Sequence, residues 1–165
     1  MDHQWIKNLA GASHADGIWK LANPGEALRV AKHQLIEALP AFYDEAVDAA
    51  AVFNTYCRSG RRVETMPLHE KGGTALRGFA LMIRTCQVRL EHQGPGLVET
   101  LTGVKNYQRQ YRVLRRFEPR FDPFGGLSWK TDQKETMYSG QIVKRLLTDL
   151  CHFSEVFENS PVEKG

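Results

Sequence analysis

Cysteine is scarce in this sequence, and long hydrophobic runs are absent from it. The three cysteines, Cys57, Cys86 and Cys151, are odd in number and form no C-x-x-C pair. This argues against a disulfide framework and a zinc site, and it predicts buried thiols in a reducing compartment. No apolar stretch approaches the roughly 18 to 20 residues that a membrane-spanning helix needs. The first residues also lack the basic and apolar segments of a secretory signal, so a cytoplasmic protein without a membrane span is expected.

The sequence also lacks the motifs of common catalytic and metal sites. None of its six histidines belongs to an H-E-x-x-H or H-x-x-x-H pattern. The nucleophile motifs G-x-S-x-G and S-x-x-K are missing as well. We therefore expect no metal and no cofactor, and we favour a non-enzymatic protein. A catalytic site assembled from several distant segments, which is the alternative, would leave no such motif.

The composition is that of one ordinary globular domain. Of the 165 residues, 42% are hydrophobic and 25% are charged, and a chain of this length can bury a hydrophobic core. No internal repeat, low-complexity segment or Ser/Pro-rich linker interrupts it. Residues 1–165 are therefore expected to fold as a single domain.

Apolar residues recur at intervals of three and four along most of the chain, which predicts helices. Two short helices are expected before Pro24, where the first long helix begins. Because proline lacks the amide hydrogen that a helix interior needs, Pro40 should kink that helix or begin another one. Further helices are predicted over about residues 72–94 and 97–118, and a last one over about 137–157.

Amphipathic helices must bury their apolar stripes against one another. The stripe of the helix predicted over 97–118 consists of Leu97, Leu101, Val104, Tyr107, Tyr111 and Leu114. The predicted fold is all-α: a single-domain antiparallel helical bundle of four to six helices, with an irregular aromatic and basic loop over about residues 119–136.

The net charge is only +3, but it is unevenly distributed along the chain. Residues 1–50 carry four basic and seven acidic side chains, whereas residues 58–120 carry thirteen basic and five acidic ones. The second segment has a net charge of +8, which favours an anionic partner.

The sharpest feature of the basic segment is a ridge on the helix predicted over 97–118. Its four cations are Lys105, Arg109, Arg112 and Arg116, and two more, Arg115 and Arg120, lie close to them. Intervals of four, three and four place the first four on one face of a helix, where a row of guanidinium groups suits the phosphates of a nucleic acid. The alternatives are a solvated face, or ion pairs with acids of another helix such as Asp44, Glu45 and Asp48.

A second basic cluster, Arg58, Arg61 and Arg62, follows the end of the preceding long helix. Cations at a helix C-terminus stabilise it by opposing the negative end of its dipole. The same side chains could instead widen a phosphate-binding surface.

Aromatic and basic residues occur together in the loop predicted over 119–136. Phe121, Phe124 and Trp129 could stack on bases while neighbouring cations hold the nucleic-acid backbone. The alternative is that these side chains plug one end of the bundle as part of its core.

These features predict a non-enzymatic accessory protein that binds DNA or RNA through phosphate contacts, with no sequence specificity implied. The alternative is a protein-interaction module or a homodimeric subunit of a larger assembly. Its contact surface would include Trp5, Trp19 and the apolar side of the last helix.

Overall fold

The computed structural model describes residues 24–94, 96–121 and 127–159. Within these residues, two helices flank seven strands. In chain order the elements are α1 (Pro24–Tyr56), β1 (Glu64–His69), β2 (Leu76–Ile83), β3 (Cys86–Gln93), β4 (Gly96–Lys105), β5 (Gln108–Phe121), β6 (Leu127–Thr131), β7 (Thr136–Met137) and α2 (Ser139–Asn159).

The strands form one antiparallel sheet in which each strand lies beside its neighbours in sequence, from β1 at one edge to β7 at the other. The sheet curves into a half-barrel. The helices pack against each other and against the sheet: α1 contacts β1 and β2, and α2 contacts β2, β3 and β4. We call the side of the sheet that carries the helices the helix face, and the opposite side the second face.

The hydrophobic core lies between the helix face and the two helices. Strand β2 contributes Phe79, Leu81 and Ile83, which are at most 1% exposed. Phe42 of α1 packs against Phe79 with ring centroids 5.7 Å apart, and against Trp129 of β6 at 6.1 Å. Helix α2 adds Ile142, Val143, Leu146, Leu150 and Phe157. Burial of each large apolar side chain contributes about 1.5 to 3 kcal/mol, so this layer provides most of the stability.

Helix α2 approaches β4 closely at Gly103. A Cβ atom at this position would lie 3.0 Å from the ring of Phe157 and 3.1 Å from that of Phe153. These two rings stack on each other with centroids 5.4 Å apart. The missing side chain therefore allows the end of α2 to pack directly on the sheet.

The predicted all-α bundle of four to six helices is wrong, because most of the chain between α1 and α2 is an antiparallel sheet. In β3 the buried residues Cys86, Val88 and Leu90 alternate with partly exposed polar ones, which is the period of two that a strand requires. Cys86 and Leu90 are also four residues apart, so a helix would place them on one face as well. Pairing with the neighbouring strands decides between the two patterns.

The segments predicted as helices over 72–94 and 97–118 each contain a β-hairpin. The two-residue turn Arg84–Thr85 joins β2 to β3, and Asn106–Tyr107 joins β4 to β5. The φ angles of Asn106 and Tyr107 are 52° and 64°. Two successive positive values belong to a type I′ turn, whose twist matches that of an antiparallel pair.

The loop predicted over 119–136 is also largely ordered into strands. It contains the end of β5, all of β6 and the first residue of β7. Pairing of Pro119 with Trp129 and of Glu118 with Lys130 joins β5 to β6. The irregular described part of this region is the turn between β6 and β7.

The helical predictions hold at the two ends of the described region. Helix α2 confirms the helix expected over 137–157. Helix α1 continues through Pro40, so no new helix begins there. The two short helices expected before Pro24 lie outside the described residues, as do Trp5 and Trp19. The apolar side of α2 is mostly buried in the core rather than exposed for a partner.

Neither helix in the described part of the chain combines the length and hydrophobicity that a membrane crossing demands. The three cysteines carry free thiols, of which Cys86 is buried and the other two are half-buried. Burial raises the pKa of the Cys86 and Cys151 thiols, so both remain protonated at neutral pH.

Candidate polyanion-binding surface

Strand β5 carries three of the four cations of the predicted ridge and both of the arginines close to it. Its pairing with β4 and β6 fixes the side that each one faces. Directly opposed residues of an antiparallel pair lie on the same face of the sheet. Arg112 is opposite Leu101, a core residue, so Arg112 lies on the helix face. Arg109 and Arg116 oppose residues of β4 that point the other way, so both lie on the second face. The single stripe expected from a helix is therefore divided between two faces.

A β-bulge makes Arg115 face the helices as well. The register shifts between Glu99 and Thr100, which leaves Leu114 as an extra residue in β5. Without this insertion, strand alternation would place Arg112 and Arg115 on opposite faces. With it, both lie on the helix face.

Arg115 lies between two carboxyl groups inside the protein. Its Nη1 donates to Glu99 Oε1 at 2.9 Å and to Asp149 Oδ2 of α2 at 2.5 Å. Glu99 is fully buried, and the side chains of Arg115 and Asp149 are 19% and 18% exposed. Arg115 therefore links β4, β5 and α2, and it is not available to a polyanion.

This cluster has one more carboxyl group than it has cations, and Glu99 retains a proton at neutral pH. Burial, as the larger cause, and the adjacent Asp149 together raise the pKa of Glu99 to about 8, although Arg115 acts in the opposite direction. The Oε2 atom of Glu99 is buried and has no hydrogen-bond partner among the residues that the structure describes. Because Glu99 is closed off from solvent, we assign this cluster to the stability of the fold.

The exposed side chains of β5 on the second face form a continuous strip, which we call the open face of β5. It consists of Arg109, Tyr111, Val113, Arg116, Glu118 and Arg120. Tyr111 is 65% exposed and Val113 42%. By contrast, Val98, Thr100 and Thr102 of the adjacent β4 are buried on the same face. A ligand can therefore reach the side chains of β5 on this side of the sheet.

Two arginines of the open face have no carboxylate partner among the described residues. Arg109 is exposed and makes no ion pair with any of them. Arg116 donates to the neutral amide oxygen of Gln93 at 3.1 Å. Arg120, in contrast, pairs with Glu118 at 3.0 Å. Arg109 and Arg116 are seven residues apart, which is about 20 Å along an extended strand.

Lys105, the first cation of the predicted ridge, binds the end of α2. Its Nζ donates to the carbonyl oxygens of Phe157 at 3.1 Å and Glu158 at 3.3 Å, and it lies 5.9 Å from the centre of the Phe157 ring. A cation at this position satisfies the last carbonyl groups of the helix and opposes the negative end of its dipole. Lys105 is thus part of the packing of α2.

Tyr107 at the tip of the β4–β5 hairpin is fully exposed. The second residue of a type I′ turn is usually glycine, and a left-handed conformation costs other residues about 1 to 2 kcal/mol. Tyr107 therefore presents an exposed ring from an unfavourable backbone conformation, at the tip of the hairpin that carries Arg109 and Tyr111.

The three arginines after the end of α1 also differ in whether a carboxylate pairs with them. Arg61 pairs with Glu158 of α2 at 2.9 Å, and Arg84 approaches the same carboxylate at 3.6 Å. Arg58 and Arg62 are exposed and make no ion pair within the described part of the chain. Arg61 therefore holds α2, while the other two arginines remain free for a ligand.

The aromatic rings available on the surface differ from those that the sequence suggested. Trp129 is 1% exposed and belongs to the core, as the alternative interpretation of a plug requires. The side chain of Phe121 and all of Phe124 lie outside what the structure describes. The exposed rings nearest the arginines in β5 are Tyr107 and Tyr111, which helical spacing had grouped with leucines in an apolar stripe.

Within the described ranges, no group of histidine, cysteine and acidic side chains is arranged to hold a metal ion. Comparison of the chain with protein-family models, curated proteins and solved structures found no match, so its function must be argued from the chemistry of the open face of β5.

Proposed function

We propose that this protein binds single-stranded nucleic acid along the open face of β5 and catalyses no reaction on it. The observation that carries the proposal concerns Arg109 and Arg116. Both are exposed, neither has a carboxylate partner among the described residues, and they bracket an exposed tyrosine and valine. A cytoplasmic location belongs to the proposal, since free thiols and nucleic acid occur together there.

The arginines supply the electrostatic part of the interaction. A guanidinium group is always charged, and its planar donors match the oxygens of a phosphate. Two such groups about 20 Å apart along one strand can contact separate phosphates of an extended backbone. Release of the counterions condensed on those phosphates favours binding.

The tyrosines supply the stacking part, at about 1 to 3 kcal/mol for each stacked base. Tyr107 and Tyr111 are both accessible from solvent. Bases within a duplex already stack on one another, so their faces are not available to a protein ring, and a single strand is favoured. Neither phosphate contacts nor stacking read the identity of a base, so no sequence specificity is expected.

A protein partner or a homodimer is the second candidate. Helix α1 exposes Val52 and Tyr56, 62% and 85% accessible, near a groove of about 430 Å³ between α1 and β1. Light scattering distinguishes the two candidates. A stable dimer without affinity for oligonucleotides would favour the second one.

Charge reversal at both arginines should weaken binding about 100-fold. Arg109→Glu and Arg116→Glu each remove a phosphate contact and add a repelling charge, which we expect to reduce affinity about tenfold per site. The measurement is fluorescence anisotropy with a labelled oligothymidylate of about 15 nucleotides in about 50 mM salt.

Arg112→Glu is the matched control for this experiment. Arg112 lies on the same strand, is exposed and has no ion pair with the described residues, but it is on the helix face. Its reversal should reduce affinity by less than about threefold, through the long-range field alone. Equal losses in the Arg112 and Arg109 variants would place the ligand elsewhere, and unchanged affinity in the double variant would refute the proposal.

A further inference from the structure

A depression of about 190 Å³ lies at the end of the open face of β5 that is distant from Tyr107. Arg116 belongs to both, since it is part of the open face and lines the depression. The other charged side chains that line it are Glu118, Arg120, Lys130, Asp132 and Lys134. A strand bound along β5 would therefore reach this depression at one of its ends.

Positive charge exceeds negative charge in the lining by two. Four cations and two carboxylates contribute, and one carboxylate, Glu118, is already paired with Arg120 at 3.0 Å. Lys130 and Lys134 make no ion pair with any residue in the described ranges. A phosphomonoester carries a charge of about −1.5 to −2 at pH 7, whereas an internal phosphodiester carries about −1. The excess charge of the depression matches the phosphomonoester.

The volume of the depression suits a small chemical group. Sites for drug-sized molecules usually enclose about 300 to 1,000 Å³, which is more than this depression offers. A phosphate group fits within 190 Å³, while the nucleoside attached to it would remain outside. The rest of a strand could then continue along β5.

The turn between β6 and β7 holds Lys134 in place. The amide of Lys134 donates to the carbonyl of Thr131 at 2.9 Å, and the amide of Glu135 donates to the hydroxyl of Thr131 at 3.1 Å. Lys134 has a φ of 68°, a conformation that favours glycine. The turn thus fixes the backbone of Lys134 beside the depression, in a conformation in which a lysine is not the favoured residue.

We infer that this depression binds the phosphomonoester at one end of the nucleic-acid strand that lies on β5. The inference rests on the proposed function and adds a chemical class to it: a strand that ends in a phosphate is preferred over the same strand ending in a hydroxyl. The geometry applies to a 5′-phosphate and a 3′-phosphate alike, so the experiment includes both.

The test compares three labelled oligothymidylates of about ten nucleotides, with a 5′-phosphate, a 3′-phosphate or hydroxyl groups at both ends. We expect one phosphorylated strand to bind about tenfold more tightly than the hydroxyl strand, and inorganic phosphate to compete with that preference. Equal affinities for all three strands would overturn the inference but leave the proposed function intact. Absence of binding to any strand would overturn both.

Two substitutions test whether this depression causes the preference for a strand that ends in a phosphate. Lys134→Gly removes the charge and suits the positive φ, so the fold is expected to remain intact, as a thermal unfolding curve would verify. Together with Lys130→Ala it should abolish the preference for the phosphorylated strand and change the affinity for the hydroxyl strand less than twofold. Lys71→Ala, at an exposed lysine between β1 and β2, is the control and should retain the preference. A preference that survives in the double variant would exclude this depression as the site.

Discussion

Replacing Arg115 by leucine is expected to lower the free energy of unfolding by about 3 to 5 kcal/mol. The arginine is the cation that the structure places between Glu99 and Asp149, at 2.9 Å and 2.5 Å. Without it, the carboxylate of Asp149 and the buried carboxyl of Glu99 lose their donor, and the cost of their desolvation remains. Urea unfolding at pH 7, followed by circular dichroism, measures the change.

Arg112→Leu provides the control for this substitution. Arg112 is exposed three residues away on the same strand, and its replacement should change the unfolding free energy by no more than about 0.5 kcal/mol. Replacing Glu99 and Asp149 as well, by apolar residues of similar volume, should restore much of the stability that Arg115→Leu removes. An Arg115→Leu variant as stable as the wild type would show that the cluster does not hold the sheet to α2.

The free energy of unfolding is expected to fall as the pH rises from about 5 to about 8.5, and Glu99→Gln should remove most of this fall. Glu99 has a pKa of about 8 in the folded protein, against 4.5 as its ordinary value. Between these values the folded protein retains a proton that the unfolded chain has released, so increasing pH favours unfolding. Below pH 4.5 the contribution of protonated Glu99 to the free energy of unfolding is fully present, and above about pH 8 it has been lost.

The size of this effect follows from the two pKa values. Their difference corresponds to a change on the order of 5 kcal/mol across the whole interval, since one pH unit is worth about 1.4 kcal/mol. A glutamine has the shape of the protonated glutamate, can accept a hydrogen bond from Arg115, and does not titrate.

The comparison requires urea unfolding of both proteins at several pH values up to about 8.5. The raised pKa values of Cys86 and Cys151 add their own pH dependence at more alkaline pH, which Glu99→Gln leaves unchanged. Wild type and variant should diverge steadily with pH, in favour of the variant. Parallel stability curves would contradict a protonated Glu99.

How much of the fold the sequence predicts depends on whether an apolar pattern has a competing interpretation. Helix α2 was predicted because Val143, Leu146 and Leu150 recur at helical intervals without strand-like alternation. In β2, Phe79 and Ile83 are four apart, yet with Leu81 they also alternate, and both periods fit. The pairing of β2 with β1 and β3 is a long-range property that local spacing does not contain.

One local signal did favour strands. In β4 the residues Val98, Thr100, Thr102 and Val104 are all β-branched and alternate strictly, which is typical of a strand and unfavourable for a helix. Asn106 then supplies a residue that tolerates the positive φ of a tight turn. Together these features identify the β4–β5 hairpin, which the stripe of leucines and tyrosines concealed.

The sequence identified the cations of the candidate surface, but not the face of the sheet on which each of them lies. The sequence identified Arg109 and Arg116, but it could not show that the bulge at Leu114 turns Arg115 inward. The partners of Arg115 lie 16 and 34 residues away in the chain, so no local pattern reveals them. Tyr111 was assigned to the core because helical spacing, unlike strand alternation, groups it with leucines.

The dependence of affinity on salt tests the central claim most directly, namely that cations of the open face of β5 bind the phosphates of a single strand. The measurement is the association constant for an oligothymidylate between about 50 and about 200 mM salt. Two phosphate contacts, at Arg109 and Arg116, predict a slope of about −1.4 in a plot of log K against log salt for a strand with hydroxyl ends. The Arg109→Glu, Arg116→Glu variant should reduce this slope to near zero. An affinity that does not change with salt, or no binding at about 50 mM, would contradict this account.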